Sequence, residues 1–145
     1  MSITRYNPNT IFLGGDRTQI GDVAVSETVT PGHLVERFNS AGVTRWRKHA
    51  TAGGNTAAAV ATDQSMLNKG VDDVYAAGDL AEVSVGHAGS KFWMLIASGQ
   101  NVAAGDLLGS AGGGTLKTGA TVARFVADEN KPTVTALTRI RVTTI

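Results

Sequence analysis

Ala76-Ala77-Gly78-Asp79-Leu80 and Ala103-Ala104-Gly105-Asp106-Leu107 spell the same five residues twice, and Thr30-Pro31-Gly32-His33-Leu34 follows the same plan of proline or small residue, glycine, polar residue and leucine. Pro31-Gly32 gives the plan a conformation. Proline presets φ at the second position of a type II turn, and the third position needs a positive φ that glycine alone adopts at no steric cost. Ala77-Gly78 and Ala104-Gly105 take the same geometry. The leucine two residues beyond each glycine is then expected to start a strand and to place its side chain in the core. Pro31, Gly32, Gly78 and Gly105 are accordingly structural turn residues, and no ligand role is assigned to them.

The segments between such turns read as strands. Leu80-Ala81-Glu82-Val83-Ser84-Val85 alternates, with Ala81, Val83 and Val85 on one face. Ile140 and Val142 share a face near the C-terminus, with Arg139, Arg141 and Thr143 opposite. Further strands are expected at 22–28, 34–38, 43–48, 57–62, 92–97 and 122–127. Eighteen glycines in 145 residues argue against a helix bundle. The expected fold is therefore all-β, a small antiparallel β-barrel or β-sandwich. One short helical segment is expected at 63–70, with Asp63 as N-cap and Gly70 closing it. Residues 1–19 read as an extended N-terminal arm and residues 20–145 as the β domain. The arm's apolar residues Ile3, Tyr6, Ile11 and Phe12 either cover their own barrel or dock on a neighbouring subunit.

Composition narrows the function. Hydrophobic residues make up 42% of the chain but aromatics only 6%, so the core is built mainly from Val, Ala, Leu and Ile. Thirteen basic residues against twelve acidic ones leave a formal net charge of +1, too little to attract a phosphate backbone, and no nucleic-acid partner is expected. The absence of cysteine rules out disulfides and thiolate metal sites. The longest apolar run, Phe92 to Ala97, falls far short of the roughly 20 residues of a membrane-spanning helix. Together with the polar N-terminus, this gives the expectation of a soluble protein made in the cytoplasm, without membrane attachment.

Searching for chemistry returns little. Gly112-Gly113-Gly114-Thr115-Leu116-Lys117-Thr118 has Leu116 where a phosphate loop needs glycine before its lysine, and reads as a hairpin. His33, His49 and His87 stand apart from other ligands and read as turn or surface residues. Asp72, Asp73 and Asp79 lack any recognised calcium-binding spacing and read as a solvated loop. No Gly-x-Ser-x-Gly elbow occurs, and the lysine-bearing hairpin tip of biotinyl and lipoyl carriers is missing. No catalytic residue, metal or cofactor is assigned, and the chain is not expected to be an enzyme. Arg45-Trp46-Arg47-Lys48-His49 is the one basic cluster containing an aromatic. As a strand it places Arg45, Arg47 and His49 on one face, with Trp46 and Lys48 on the other.

The order of several segments resembles the head-decoration, or capsid cement, proteins of tailed bacteriophages. These are Pro31-Gly32-His33-Leu34-Val35-Glu36, Thr51-Ala52-Gly53-Gly54-Asn55, Gly70 to Asp79, Gly99 to Leu108, and Ala111 to Leu116. The resemblance runs from about Val29 to the strand Arg139-Ile140-Arg141-Val142. It implies a β-barrel or sandwich that binds the outside of the assembled shell of major capsid protein as a homotrimer and stabilises the head. Ile3, Tyr6, Ile11, Phe12, Arg45, Trp46 and Arg47 are the candidate contacts with capsid or sister subunits. The alternative is a phage-surface receptor- or carbohydrate-binding β module, for which Trp46 is the candidate aromatic platform.

Overall fold

Phe92-Trp93-Met94-Leu95-Ile96 carries no polar residue, so a strand made from it has no face to give to water. In the computed structural model, which describes residues 7–132 and 134–145, these five residues are buried on both faces. Ahead of that strand in the chain lie β1 (Phe12–Gly14), β2 (Arg17–Ala24), β3 (Val35–Ser40), β4 (Val43–Lys48), β5 (Ala59–Ala61) and β6 (Leu80–Gly86). The apolar run itself is β7 (Lys91–Ile96), followed by β8 (Leu107–Gly112), β9 (Thr115–Thr118), β10 (Ala123–Ala127) and β11 (Thr138–Thr144). A single 3-10 turn at Ser65–Leu67 takes the place of the expected short helix. Asp63 is not its cap, because its carboxylate accepts from the Ile11 N–H at 2.9 Å and from the Thr10 hydroxyl at 3.1 Å.

Five strands close into a barrel in the order β7-β11-β10-β8-β9, with β9 returning to β7 through the parallel pair Ile96 and Leu116. β11 occupies the whole of one edge of β7. Three separate pieces of chain fill the other edge. Trp93 N–H donates to Ile11 C=O at 2.8 Å, Leu95 N–H to Gly32 C=O at 3.0 Å, and Ala97 N–H to Leu116 C=O at 2.9 Å. A buried strand must satisfy both rows of backbone groups, and here it does so without a second full-length neighbour. Ile11, Leu34, Phe92, Met94, Ile96, Leu108, Leu116, Phe125, Ile140 and Val142 form the fully buried centre of this barrel.

A second core lies beside it, made from Val25, Val29, Val35, Trp46, Ala59, Ala61, Tyr75, Ala81 and Val83. The sheet β2-β6-β5 and the hairpin β3-β4 enclose it. Isolated bridges between Leu34 and Val60, and between Val25 and Trp46, join their edges into a loose ring. β5 separates the two cores: Ala59 and Ala61 pack into the second, and Val60 between them packs into the first. The all-β expectation therefore holds, with one closed barrel and additional sheets. The boundary expected after residue 19 falls inside β2, which begins at Arg17 and pairs with β6 from there.

The repeated turns have the expected geometry and a further regularity. Gly32, Gly78 and Gly105 adopt φ of 101°, 93° and 92°. The N–H of the following residue (His33, Asp79 or Asp106) closes each turn at 3.0 Å onto Thr30, Ala76 or Ala103. That same residue's side chain accepts the N–H of the first turn position. The Asp79 and Asp106 carboxylates do so at 2.9 Å, and His33 Nδ1 at 3.0 Å. Each glycine N–H also donates to a strand alongside, on Ala61, Val25 and Ala127 at 2.7 to 2.8 Å. That residue's own N–H returns to the carbonyl after the glycine. Gly89, with φ 91°, docks on Thr144 in the same reciprocal way, and Ala88-Gly89-Ser90 shares the small residue, glycine and polar residue of the repeated string but has Lys91 where the others have leucine.

Only Leu34 of the three turn leucines is buried as expected. Leu80 and Leu107 begin their strands but are 57% and 56% exposed. Side chains alternate along a strand, and Ala81 and Leu108 one residue later take the inward positions. The glycine-rich stretch before Lys117 is a hairpin as expected. Its two central residues, Gly113 and Gly114, have φ of 61° and 77°, as a type I′ turn requires.

His33 is a turn residue as expected, but a buried one. Burial, with the charges of Lys48 and Arg139 nearby, lowers its pKa from 6.5 to about 4. Since Nδ1 accepts a hydrogen bond, the proton of the neutral ring sits on Nε2.

Gly32 differs from the other two repeated glycines because its neighbours leave no room. A Cβ there would lie 3.2 Å from Trp93 O and 3.3 Å from Arg139 Nε, whereas nothing lies within 4 Å at Gly78 or Gly105. Gly78→Ala and Gly105→Ala are each expected to cost about 1–2 kcal/mol, from the left-handed conformation alone. Gly32→Ala should cost clearly more, and equal denaturant midpoints for the three variants would contradict this. His33 favours the folded state in its neutral form, so its contribution is complete above pH 6.5. It is lost as pH falls toward 4, by up to about 3 kcal/mol. Titrations at pH 7.5 and 4.5 should show a smaller loss for His33→Asn, which keeps a neutral acceptor.

Candidate interaction surface

Ile3 and Tyr6 lie outside the described residues. Ile11 is wholly buried in this chain's own barrel. Phe12 is half-buried, its ring 5.6 Å from that of Phe92, with the Arg17 guanidinium 3.9 Å above it. The N-terminal stretch from Ile11 to Leu13 therefore packs on its own barrel, through β1 and the bond to Asp63.

The basic cluster falls on β4. Trp46 is only 2% exposed and belongs to the second core, so neither a partner nor a sugar can stack on it, and Trp93 is likewise buried. That removes the aromatic platform a carbohydrate-binding reading relied on. Arg45 and Arg47 share the opposite face with Glu36 and Phe38 of β3, since Arg47 pairs with Glu36 and Arg45 with Phe38 across the hairpin. Arg47 Nε lies 2.8 Å from the Glu36 carboxylate, and its guanidinium sits 4.6 Å from the Phe38 ring. On the core side, Arg37 covers the Trp46 ring at 5.3 Å. Beyond the bridge that anchors Trp46, residues 39 and 41–44 at the hairpin tip are exposed.

His49, expected at a turn or on the surface, is instead buried in a polar network that the sequence did not suggest. Its Nδ1 lies 2.7 Å from Ser110 Oγ, and its Nε2 lies 2.9 Å from the Asn55 carbonyl and 3.5 Å from the Glu36 carboxylate. Serine, histidine and glutamate in that order resemble a hydrolytic triad. Ser110, however, is 0% exposed and its hydroxyl also accepts the Gly112 N–H, so no substrate carbonyl can approach it. The network serves the core by satisfying buried polar groups. The aspartates of 72–79 are similarly occupied. Asp72 pairs with Arg139 at 2.9 Å, Asp73 accepts from Gly70 N–H, and Asp79 from Ala76 N–H. Among the described residues no group of three or more potential metal ligands gathers.

Sequence reasoning missed the exposed apolar residues of the loop after β5. Met66 is 99% exposed, Leu67 65% and Val74 49%, and Leu80 opens β6 beside them with its carbonyl bonded to Gln64. The 3-10 turn carrying Met66 and Leu67 borders a cleft of about 300 Å³ floored by Phe12, Arg17 and Glu82. The turn is too short to show an amphipathic period, which is why no pattern announced it.

No protein-family model and no curated protein matches this sequence. Among solved structures the chain is similar to the N base of head fiber gp8.5 in bacteriophage phi29. The likeness covers 90% of this chain and 97% of that one, with a TM-score of 0.55 and 13% sequence identity. At that identity it is a likeness of fold.

Trp46→Ala should cost about 3 kcal/mol or more, because a large core ring is lost. Trp46→Phe should stay within about 1 kcal/mol, since it also removes a buried indole N–H that has no hydrogen-bond partner. Met66→Ser combined with Leu67→Ser should leave the denaturant midpoint unchanged within about 0.5 kcal/mol, as expected for exposed positions.

Proposed function

We propose that this protein is a structural component of a tailed-bacteriophage head. It binds the outer surface of the assembled capsid as a homotrimer and strengthens the shell by bridging neighbouring copies of the major capsid protein. The observation that carries the reading is the fold likeness to a phage head fiber base over nearly the full length of both chains. It coincides with the resemblance to head-decoration proteins, which rests on the order of turn segments and owes nothing to three-dimensional comparison.

The chemistry of the surface is consistent with such a role. The polar groups that could have formed a reactive site are buried or bonded within the chain, as Ser110, His49 and Asp63 illustrate. A shell under internal pressure gains from any protein that binds only its assembled state, because binding stabilises that state by mass action. Such a protein needs area and symmetry in place of perturbed pKa values.

Purified protein mixed with expanded, undecorated capsids of the encoding phage should co-sediment saturably and raise the temperature at which the shells release DNA. Its solution mass should be three times that of the 15.0 kDa chain. Absence of saturable binding would overturn the attachment reading, and a monomeric mass would overturn the trimer.

A further inference from the structure

We infer that the β3-β4 hairpin is a docking element for a carboxylate-rich protein surface; taken with the capsid reading, on which this part rests, that surface belongs to the capsid exterior. From residue 36 to 48 the hairpin holds Arg37, Arg45, Arg47 and Lys48 against Glu36, a net charge of +3. The whole chain carries +1, so everything outside the hairpin sums to −2. The positive charge is thus concentrated on one projecting element.

Glu36, the hairpin's only acid, is already engaged by Arg47. Among the described residues neither Arg37 nor Arg45 has a carboxylate within ion-pair distance. Two guanidinium groups are held over aromatic rings, Arg37 on Trp46 and Arg47 on Phe38. Stacking of this kind restricts a long side chain before it meets a partner and so lowers the entropy lost on binding. Phe38 is half-buried and Val43 is 51% exposed on the same face as Arg45 and Arg47, which supplies apolar contact between the charges. Arginine interleaved with apolar side chains is the composition of a protein interface. A nucleic acid or an anionic membrane is a poorer match, because either is drawn by net positive charge over a wide area, and the sequence outside the hairpin sums to −2.

The test compares wild type with two variants. Arg37→Glu/Arg45→Glu reverses the unpaired cations. Asn39→Asp/Thr44→Glu adds negative charge at the exposed tip while leaving every arginine in place, and an aspartate at 39 can still accept the Gly42 N–H that Asn39 accepts at 2.7 Å. The probes are undecorated capsids, poly-L-glutamate, a single-stranded oligonucleotide and vesicles containing anionic lipid, each at low and at physiological salt. Wild type should bind capsids and poly-L-glutamate, and both variants should bind each of them about tenfold more weakly, with a shallower salt dependence. If wild type binds capsids and the variants bind equally well, the hairpin inference fails while the capsid reading stands. If wild type binds poly-L-glutamate through the arginines but ignores capsids, the capsid reading fails and the hairpin serves a different acidic protein. Preference for the oligonucleotide or the vesicles, or binding to none of the probes, overturns the inference.

Discussion

Both cores depend on one backbone junction at Gly32. Its N–H bonds to Ala61 on β5, and its C=O accepts the N–H of Leu95 on β7. One residue therefore closes a turn of the second core and fills part of the open edge of the barrel's central strand. A side chain there would press against Trp93 O, so the junction exists because the position has none. Arg139 holds the same turn from the other side, donating to Pro31 O while its guanidinium lies 5.1 Å from the Trp93 ring. The deeply buried neighbours Leu34, Val60 and Leu95 gather round this point, and the order of the surrounding strands follows from it.

Much of this architecture could be read from residues alone. Strand alternation in β6 and β11, the type II turns and the Gly113-Gly114 hairpin are local properties, set by φ preference and by a period of two. What could not be read is long-range. β1 is three residues long, and its pairing with β7 depends on chain eighty residues away. The outward phase of Leu80 and Leu107 follows from which neighbour takes the inward site, a choice that a turn sequence does not encode. Trp46 looked like part of a polar strand because arginines flank it, yet alternation alone places its ring on the face away from Arg45 and Arg47. Whether that face meets a core or water depends on β2, β5 and β6 arriving there. The hidden Ser110-His49 network was illegible for the same reason, its members being sixty-one residues apart.

Buried bulk and exposed projections are unevenly distributed over the molecule. The barrel holds most of the large buried side chains, whereas the cationic hairpin is built on the smaller second core. The exposed Met66 and Leu67 lie in the loop between β5 and β6, which also belong to that second unit. A closed barrel beside a smaller unit bearing polar and apolar projections lets those exposed residues vary without disturbing the main packing. The apolar residues Ile11 and Phe12 work on the barrel side of this division, packing on the barrel and closing the edge of β7.

The reciprocal docking of the glycine turns has a consequence for how this fold persists. The turns at Gly32, Gly78 and Gly105 are held by main-chain groups on both sides, and their side-chain requirement reduces to one acceptor, met by aspartate at two and by histidine at the third. Such a scaffold fixes part of its blueprint in a few backbone dihedral angles, beside the packing of its two cores. Apolar substitutions of similar volume and changes at exposed positions can accumulate around those turns before the architecture is lost, so chains built this way stop resembling one another as text before they stop resembling one another as objects.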